Sequence, residues 1–214
     1  SVTSSLTNGI YSVGKVISIA VNFSEAVKYS EEGGHTREPI LNLNIGGDSA
    51  IYASGSGTNS LIFNYTVKAG QNKTDLDYTS VTALKLNYGT KIKDFTGNDA
   101  TLTLPIPGTT NSLGGAKDIA IDTDAPGVAS FIPAQNATGV GANLVVNFRE
   151  AIQKGSGNIV ISDSFRQRVE TIPVTDSNVT VSDTQLTIKP AKLAENSYYY
   201  VEIDGGATKD LAGN

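Results

Sequence analysis

Val146-Asn-Phe-Arg-Glu150-Ala-Ile152 repeats Val21-Asn-Phe-Ser-Glu25-Ala-Val27, and Lys209-Asp210-Leu-Ala-Gly213-Asn214 repeats Lys93-Asp94-Phe-Thr-Gly97-Asn98. The matches keep their order and nearly their spacing, with 71 positions from Asn22 to Lys93 and 62 from Asn147 to Lys209. An ordered double match of this kind points to one fold occurring twice along the chain. The first motif closes the run Val16-Ile-Ser-Ile-Ala-Val-Asn-Phe23, whose apolar/polar alternation marks a half-buried strand. The second motif is turn chemistry, in which Asp and Asn cap the backbone and Gly takes positive φ.

Further strand-like runs lie around these motifs. They are residues 40–45, 50–53, 60–67, 83–87, 100–104 and 117–121 in the first half, and 158–162, 169–174, 185–189 and 197–203 in the second. Short Val-, Ile- and Thr-bearing runs separated by Gly- and Asn-rich turns predict an all-β chain. The expected architecture is two tandem Ig-like β-sandwich domains of about seven strands each, in an extended arrangement, over residues 1–122 and 123–214. The boundary falls in Asp118-Ile-Ala-Ile-Asp122-Thr-Asp124-Ala-Pro126, a short strand running into an acidic, Pro-terminated linker. If the second copy follows the first, its last strand would come after Asn214. An open sheet edge is therefore expected there, unless a neighbouring chain fills it. The abrupt start at Ser1 reads as an excerpt from something longer.

Composition narrows the function classes. The chain has 214 residues and no Cys, Met or Trp, so disulfides and thiolate metal sites are excluded. Hard cations held by oxygen ligands remain as a staple for small β domains. A net charge of −5 with no basic cluster argues against a nucleic-acid partner. No apolar run approaches the roughly 20 residues of a membrane span. A monomer without membrane insertion is expected.

The Phe-Ser-Glu-Ala-Val and Lys-Asp-Leu-Ala-Gly-Asn signatures, with the Asp-Thr-Asp-Ala-Pro joint, resemble the Ig-like, cadherin-like extender repeats of large bacterial surface adhesins of the repeats-in-toxin type. The resemblance covers both halves. It implies a non-catalytic extracellular or cell-surface module, secreted by a bacterium and serving adhesion and biofilm formation. Its partners would be neighbouring repeats of the same long chain, and structural Ca2+ would rigidify the joints. The sequence departs from the pattern in two ways: residues 31–38 and 164–169 are more charged than such repeats, and Arg149 stands where the first copy has Ser24.

In an Ig-like sandwich alternate loops lie at opposite poles. The Glu150 and Asp210 segments should therefore meet where the linker bearing Asp122 and Asp124 arrives, with Asp118 or Asp99 as further contributors. Glu25 and Asp94 are the equivalents in the first copy. Carboxylates gathered so closely repel unless neutralised, and calcium takes six to eight oxygens in irregular geometry. A second reading stays open: Asp94 and Asp210 also serve a metal-free turn, and Glu25 and Glu150 also serve as acceptors for loop amides.

Other features carry less. His35, the only histidine, lies in a loop with Glu31, Glu32 and Glu38 and reads as a solvated tip. No Gly-x-Ser-x-Gly elbow supports hydrolase chemistry. Tyr198-Tyr199-Tyr200 alternates across a strand, so Tyr199 would be buried with Tyr198 and Tyr200 on the other face, or the reverse. The tyrosines read first as cover for the sandwich edge, and exposed tyrosines also stack on sugars. The alternative function is accordingly a carbohydrate- or protein-binding module, with surface glycans or proteins as partners. The sequons at Asn22, Asn64, Asn72, Asn136 and Asn178 follow from an Asn- and Thr-rich composition and carry no role.

Overall fold

The computed structural model describes residues 1–31, 38–87, 89–138 and 143–214. His35 and Glu32 lie outside the described residues. The chain is nearly all β and divides into two compact units, Ser1–Thr123 and Asp124–Asn214, each built around its own apolar core. No helix among the described residues is long and apolar enough to cross a membrane.

The first unit contains β1 (Val2–Ser4), β2 (Gly9–Tyr11), β3 (Val16–Glu31), β4 (Ile40–Asn42), β5 (Ser49–Ser54), β6 (Thr58–Thr66), β7 (Leu84–Lys85) and β8 (Thr90–Asp94). One helical turn, α1 (Leu113–Ala116), then leads to β9 (Ile119–Ile121). The main sheet runs β1-β3-β6-β5-β4-β7, with β8 also on β3, while β2 and β9 form a parallel pair. Strand β3 organises the unit. Its alternation buries Ile17, Ile19 and Val21 against Leu61, Phe63 and Tyr65 of β6, and each such side chain stabilises the fold by roughly 1.5–3 kcal/mol. Beyond Asn22 the register breaks; Val27 pairs with both Thr58 of β6 and Asp94 of β8, and the strand continues along β8 to Glu31. Glu25 lies in that break. The turn from β5 to β6 requires Gly55, which has φ +102° and whose added Cβ would stand 2.1 Å from the Ser60 carbonyl oxygen.

Residues 100–104 differ from the strand expected there. They touch the sheet through Ala100 N–H to the Ile92 carbonyl (2.9 Å) and Leu104 N–H to the Val81 carbonyl (2.8 Å). The segment crosses from one neighbour to another and ends at Pro105, which has no N–H to donate, so no continuous ladder forms. The long connection that follows is held from beneath by Asp77, only 4% exposed. Its carboxylate accepts from the Gly108 N–H and the Ser112 hydroxyl, both at 2.9 Å, and from the Tyr78 N–H at 2.8 Å. Ser112 in turn caps α1 by accepting from the Gly115 N–H.

The second unit contains β10 (Val128–Ile132), β11 (Leu144–Phe148), β12 (Ile152–Lys154), β13 (Asn158–Asp163), β14 (Arg168–Pro173), β15 (Val179–Ser182), β16 (Gln185–Ile188), β17 (Tyr199–Ile203) and β18 (Thr208–Asp210). One sheet has the order β10-β11-β16-β15 and another β14-β13-β17, and β12 pairs with β18. Val146, Phe148, Ile159, Ile161, Leu186 and Ile188 form its core, an Ig-like sandwich arrangement. The motif 146–152 is interrupted at residues 149–151, because β11 pairs with β16 and β12 with β18. That interruption is the counterpart of the register break in β3, and Glu150 lies in it as Glu25 does in the first unit. The repeat is therefore structural: Ile152 stands opposite Asp210 as Val27 stands opposite Asp94. Among the described residues β17 pairs with β13 alone, and every residue of β10 is exposed.

Candidate metal centre

The two Lys-Asp-x-x-Gly-Asn turns have the same internal chemistry. One Asp94 oxygen accepts from the Thr96 and Asn98 N–H groups, both at 2.8 Å, and the other from the Asn98 side-chain amide at 2.8 Å. In the second unit one Asp210 oxygen accepts from the Gly213 N–H (2.7 Å) and the Asn214 N–H (2.9 Å), and the other from the Asn214 amide (2.8 Å). Gly97 and Gly213 carry the required positive φ, +100° and +96°. These bonds hold the Asp94 carboxyl well below the usual carboxylate range, the Asn98 side-chain amide contributing most.

The turns differ in depth. Asp94 is half-buried, whereas Asp210 is 2% exposed. Asp210 also has an acidic neighbour in its own unit: a Glu150 carboxylate oxygen lies within 4.8 Å of an Asp210 one. Register explains the approach, because β12 begins two residues after Glu150 and pairs directly with Asp210. The chain entering the unit is drawn to the same place. The Arg149 N–H donates to the Gly127 carbonyl at 2.8 Å, and Val128 pairs with Phe148. Gly127 follows Asp124 by only three residues, so within this unit the linker is anchored beside Glu150.

Asp124 is exposed at the first position of the second unit. Asp122, at the end of the first, is half-buried and donates its N–H to the Tyr11 carbonyl at 3.1 Å. Asp118 lies at the other end of β9 from Asp122, four residues or about 13 Å of strand away, and its N–H bonds to the Asn8 side chain. Glu25, Asp94 and Asp99 line one open depression of about 380 Å³ in the first unit, together with Ser1, Asn22 and Ser24. Asp99 is paired there with Lys93 at 2.9 Å, which lowers its pKa. Among the described residues these three carboxylates do not close into a group at the 4.8 Å spacing.

The Glu150–Asp210 pair fits a hard cation. Its donors are all oxygens, one carboxylate is buried and locked in position by its turn, and two like charges so close cost free energy that a divalent ion would offset.

A second acidic pair, not among the expected ligands, lies in the first unit. Asp75 sits over α1 beside Asp77, and a Cβ on Gly114 would meet the carboxylates of both, at 2.8 and 3.0 Å. Asp75 is exposed as a residue, but partial desolvation of its carboxyl raises its pKa, reinforced by Asp77 and Asp118 and opposed by Lys73. The charged form is thus disfavoured by folding. That cost is complete above the raised folded pKa, shrinks as pH falls through it, and is gone below the unfolded value of 3.8. Asp75→Asn is therefore expected to raise the melting temperature of the first unit at pH 7 by roughly 1–3 °C, with the gain vanishing by pH 3. Calorimetry across pH checks it. The Asp75-Leu-Asp77 spacing places two acids close in sequence but is equally that of a solvated loop.

The family description of a bacterial Ig-like domain matches residues 122–214. No curated protein matches the chain. Such domains are non-catalytic and occur commonly in bacterial surface proteins. The second half of the chain is thereby similar to bacterial Ig-like domains, from the linker aspartate Asp122 to the closing Gly-Asn turn.

Proposed function

We propose that this chain is a non-catalytic structural pair of modules from an extracellular bacterial surface adhesin. Calcium, held at the joint by Asp122 and Asp124 of the linker with Glu150 and Asp210, stiffens a rod that projects distal binding domains for adhesion. The observation that carries the reading is the Glu150–Asp210 pair beside the anchoring point of the linker, Arg149 N–H to Gly127 carbonyl. Chain connectivity supports the rest. Asp122 precedes Gly127 by five residues, which span at most about 17 Å when extended, so the linker is long enough to deliver its carboxylate to that pair. The repeated motifs and the Ig-like match are what a tandem extender would show, and neighbouring repeats would supply the same linker to the first unit at Glu25 and Asp94.

Small-angle scattering on the 214-residue chain, with 10 mM calcium and then with excess chelator, tests the reading. The maximum dimension should be larger and its distribution narrower with calcium. Calorimetric titration should show at least one site with a Kd of about 10⁻⁴–10⁻³ M. A molecule whose dimensions and titration heats are both indifferent to calcium would sink the joint.

A further inference from the structure

The outer face of the β14-β13-β17 sheet does not look like an inert strut. Ser162 pairs with Arg168 on one side and with Tyr200 on the other, and directly paired residues share a face. Tyr200 is 44% exposed, Tyr198 just before the strand is 76% exposed, and Phe165 at the tip of the β13–β14 hairpin is 82% exposed. Arg166, at the same tip with φ +61°, stacks its guanidinium over the Tyr200 ring at 3.5 Å and reaches Glu202 at 3.6 Å. The acidic side chains around the hairpin are engaged. Asp163 accepts from the Phe165 and Gln167 N–H groups, and Glu170 from those of Ala191 and Lys192. Arg168, by contrast, is exposed, and its side chain makes no hydrogen bond or ion pair among the described residues.

Single exposed aromatics are ordinary, but three gathered around two arginines are not. Tyrosine offers a large, rigid, amphipathic contact surface at small entropic cost. A guanidinium fork matches a carboxylate in a bidentate way. In a chain of net charge −5, this hairpin concentrates two of the four arginines beside flat ring faces. We infer that the Tyr198–Tyr200–Arg168 face binds an acidic saccharide. The sugar ring rests on Tyr198 and against the part of Tyr200 that Arg166 leaves uncovered, and its carboxylate is met by Arg168. The exposed fork of Arg168, the arginine of the hairpin that Glu202 does not pair, selects an anionic sugar over a neutral one. This adds an adhesive surface to the module and does not depend on the calcium joint.

The test is titration of the intact chain with oligogalacturonate, and with neutral galactan of the same length, in low salt. Oligogalacturonate should bind and galactan should not. Tyr200→Ala and Arg168→Gln should each weaken binding by roughly tenfold or more, the range of an interface anchor, with the melting temperature of the second unit as the check on folding. Tyr198→Ala, outside the strand, provides a variant with little risk to the fold and should also weaken binding. Raising salt to 0.5 M should weaken it further. Equal binding of the two glycans overturns the proposal, as does no binding of either, or unchanged affinity in folded Arg168→Gln and Tyr198→Ala proteins.

Discussion

Asp77→Ala is expected to lower the melting temperature of the first unit by roughly 10–20 °C. Asp77 is 4% exposed and joins the sheet side of the unit to the connection leading to β9. It takes the Gly108 N–H and the Ser112 hydroxyl on one oxygen and the Tyr78 N–H on the other. Hydrogen bonds to a charged group contribute about 1.5–3 kcal/mol each, and orphaned buried partners cost about 1–3 kcal/mol. Ser112 is fully buried, so water does not readily replace the lost acceptor. Loss of the two bonds to the connection comes to about 3–5 kcal/mol, which the melting relation for a domain of this size converts into the stated range. Asp77→Asn keeps one acceptor oxygen and should lose less than half as much. Tyr78→Phe removes only the hydroxyl bond to the Pro105 carbonyl (2.7 Å) and should cost about 1 kcal/mol. The measurement is calorimetry of the whole chain. The transition of the second unit, which rests on a separate core, should keep its midpoint. An Asp77→Ala protein within 3 °C of the parent would mean that the connection is held by its apolar residue Leu113 and that the carboxylate is incidental.

The all-β, Ig-like character was legible because one face of each main strand is buried, and burial imposes a period of two. Ile17, Ile19 and Val21 show it in β3, and Ile159 and Ile161 show it in β13. The turns at Asp94 and Asp210 were legible because their chemistry is local: an Asp, a Gly with positive φ and an Asn within five residues suffice. Non-local anchors left no such trace. Asp77 caps a connection 31–35 residues further on, and nothing in Asp75-Leu-Asp77 distinguishes that from a solvated loop. The break between β11 and β12 was likewise hidden, since Val146 to Ile152 keeps its apolar spacing while changing partner from β16 to β18. Strand β10 was missed for the opposite reason: all five of its residues are exposed, so burial imposes no alternation. For the acidic residues, motif order indicated which of them lie in equivalent places, as with Glu25 and Glu150. Depth was not written there, and depth separates the buried Asp210 from the half-buried Asp94 in otherwise matching turns.

That difference in depth gives Glu150→Gln an unusual expected signature. Without calcium, Glu150 and Asp210 hold like charges within 4.8 Å of each other, one of them buried, so neutralising Glu150 should stabilise the second unit by about 1 kcal/mol, or roughly 4–8 °C. With calcium at about 10 mM and a Kd of about 10⁻⁴–10⁻³ M, linkage should raise the parent's stability by about 1.4–2.7 kcal/mol, or roughly 6–20 °C. Glu150→Gln should lose most of that increment, because an amide oxygen is a weaker ligand for a hard cation than a carboxylate. The two effects have opposite signs and cross between the two buffers: the variant melts above the parent in chelator and below it in calcium. A carboxylate serving only as a hydrogen-bond acceptor gives no crossing, since its replacement shifts both melting points the same way and leaves the calcium increment unchanged. Glu25→Gln, at the matching place in the first unit, supplies the control. Glu25, Asp94 and Asp99 do not gather within that distance among the described residues, and Asp99 is already neutralised by Lys93. Its melting temperature in chelator should therefore move by less than about 2 °C, the range of an ordinary surface substitution.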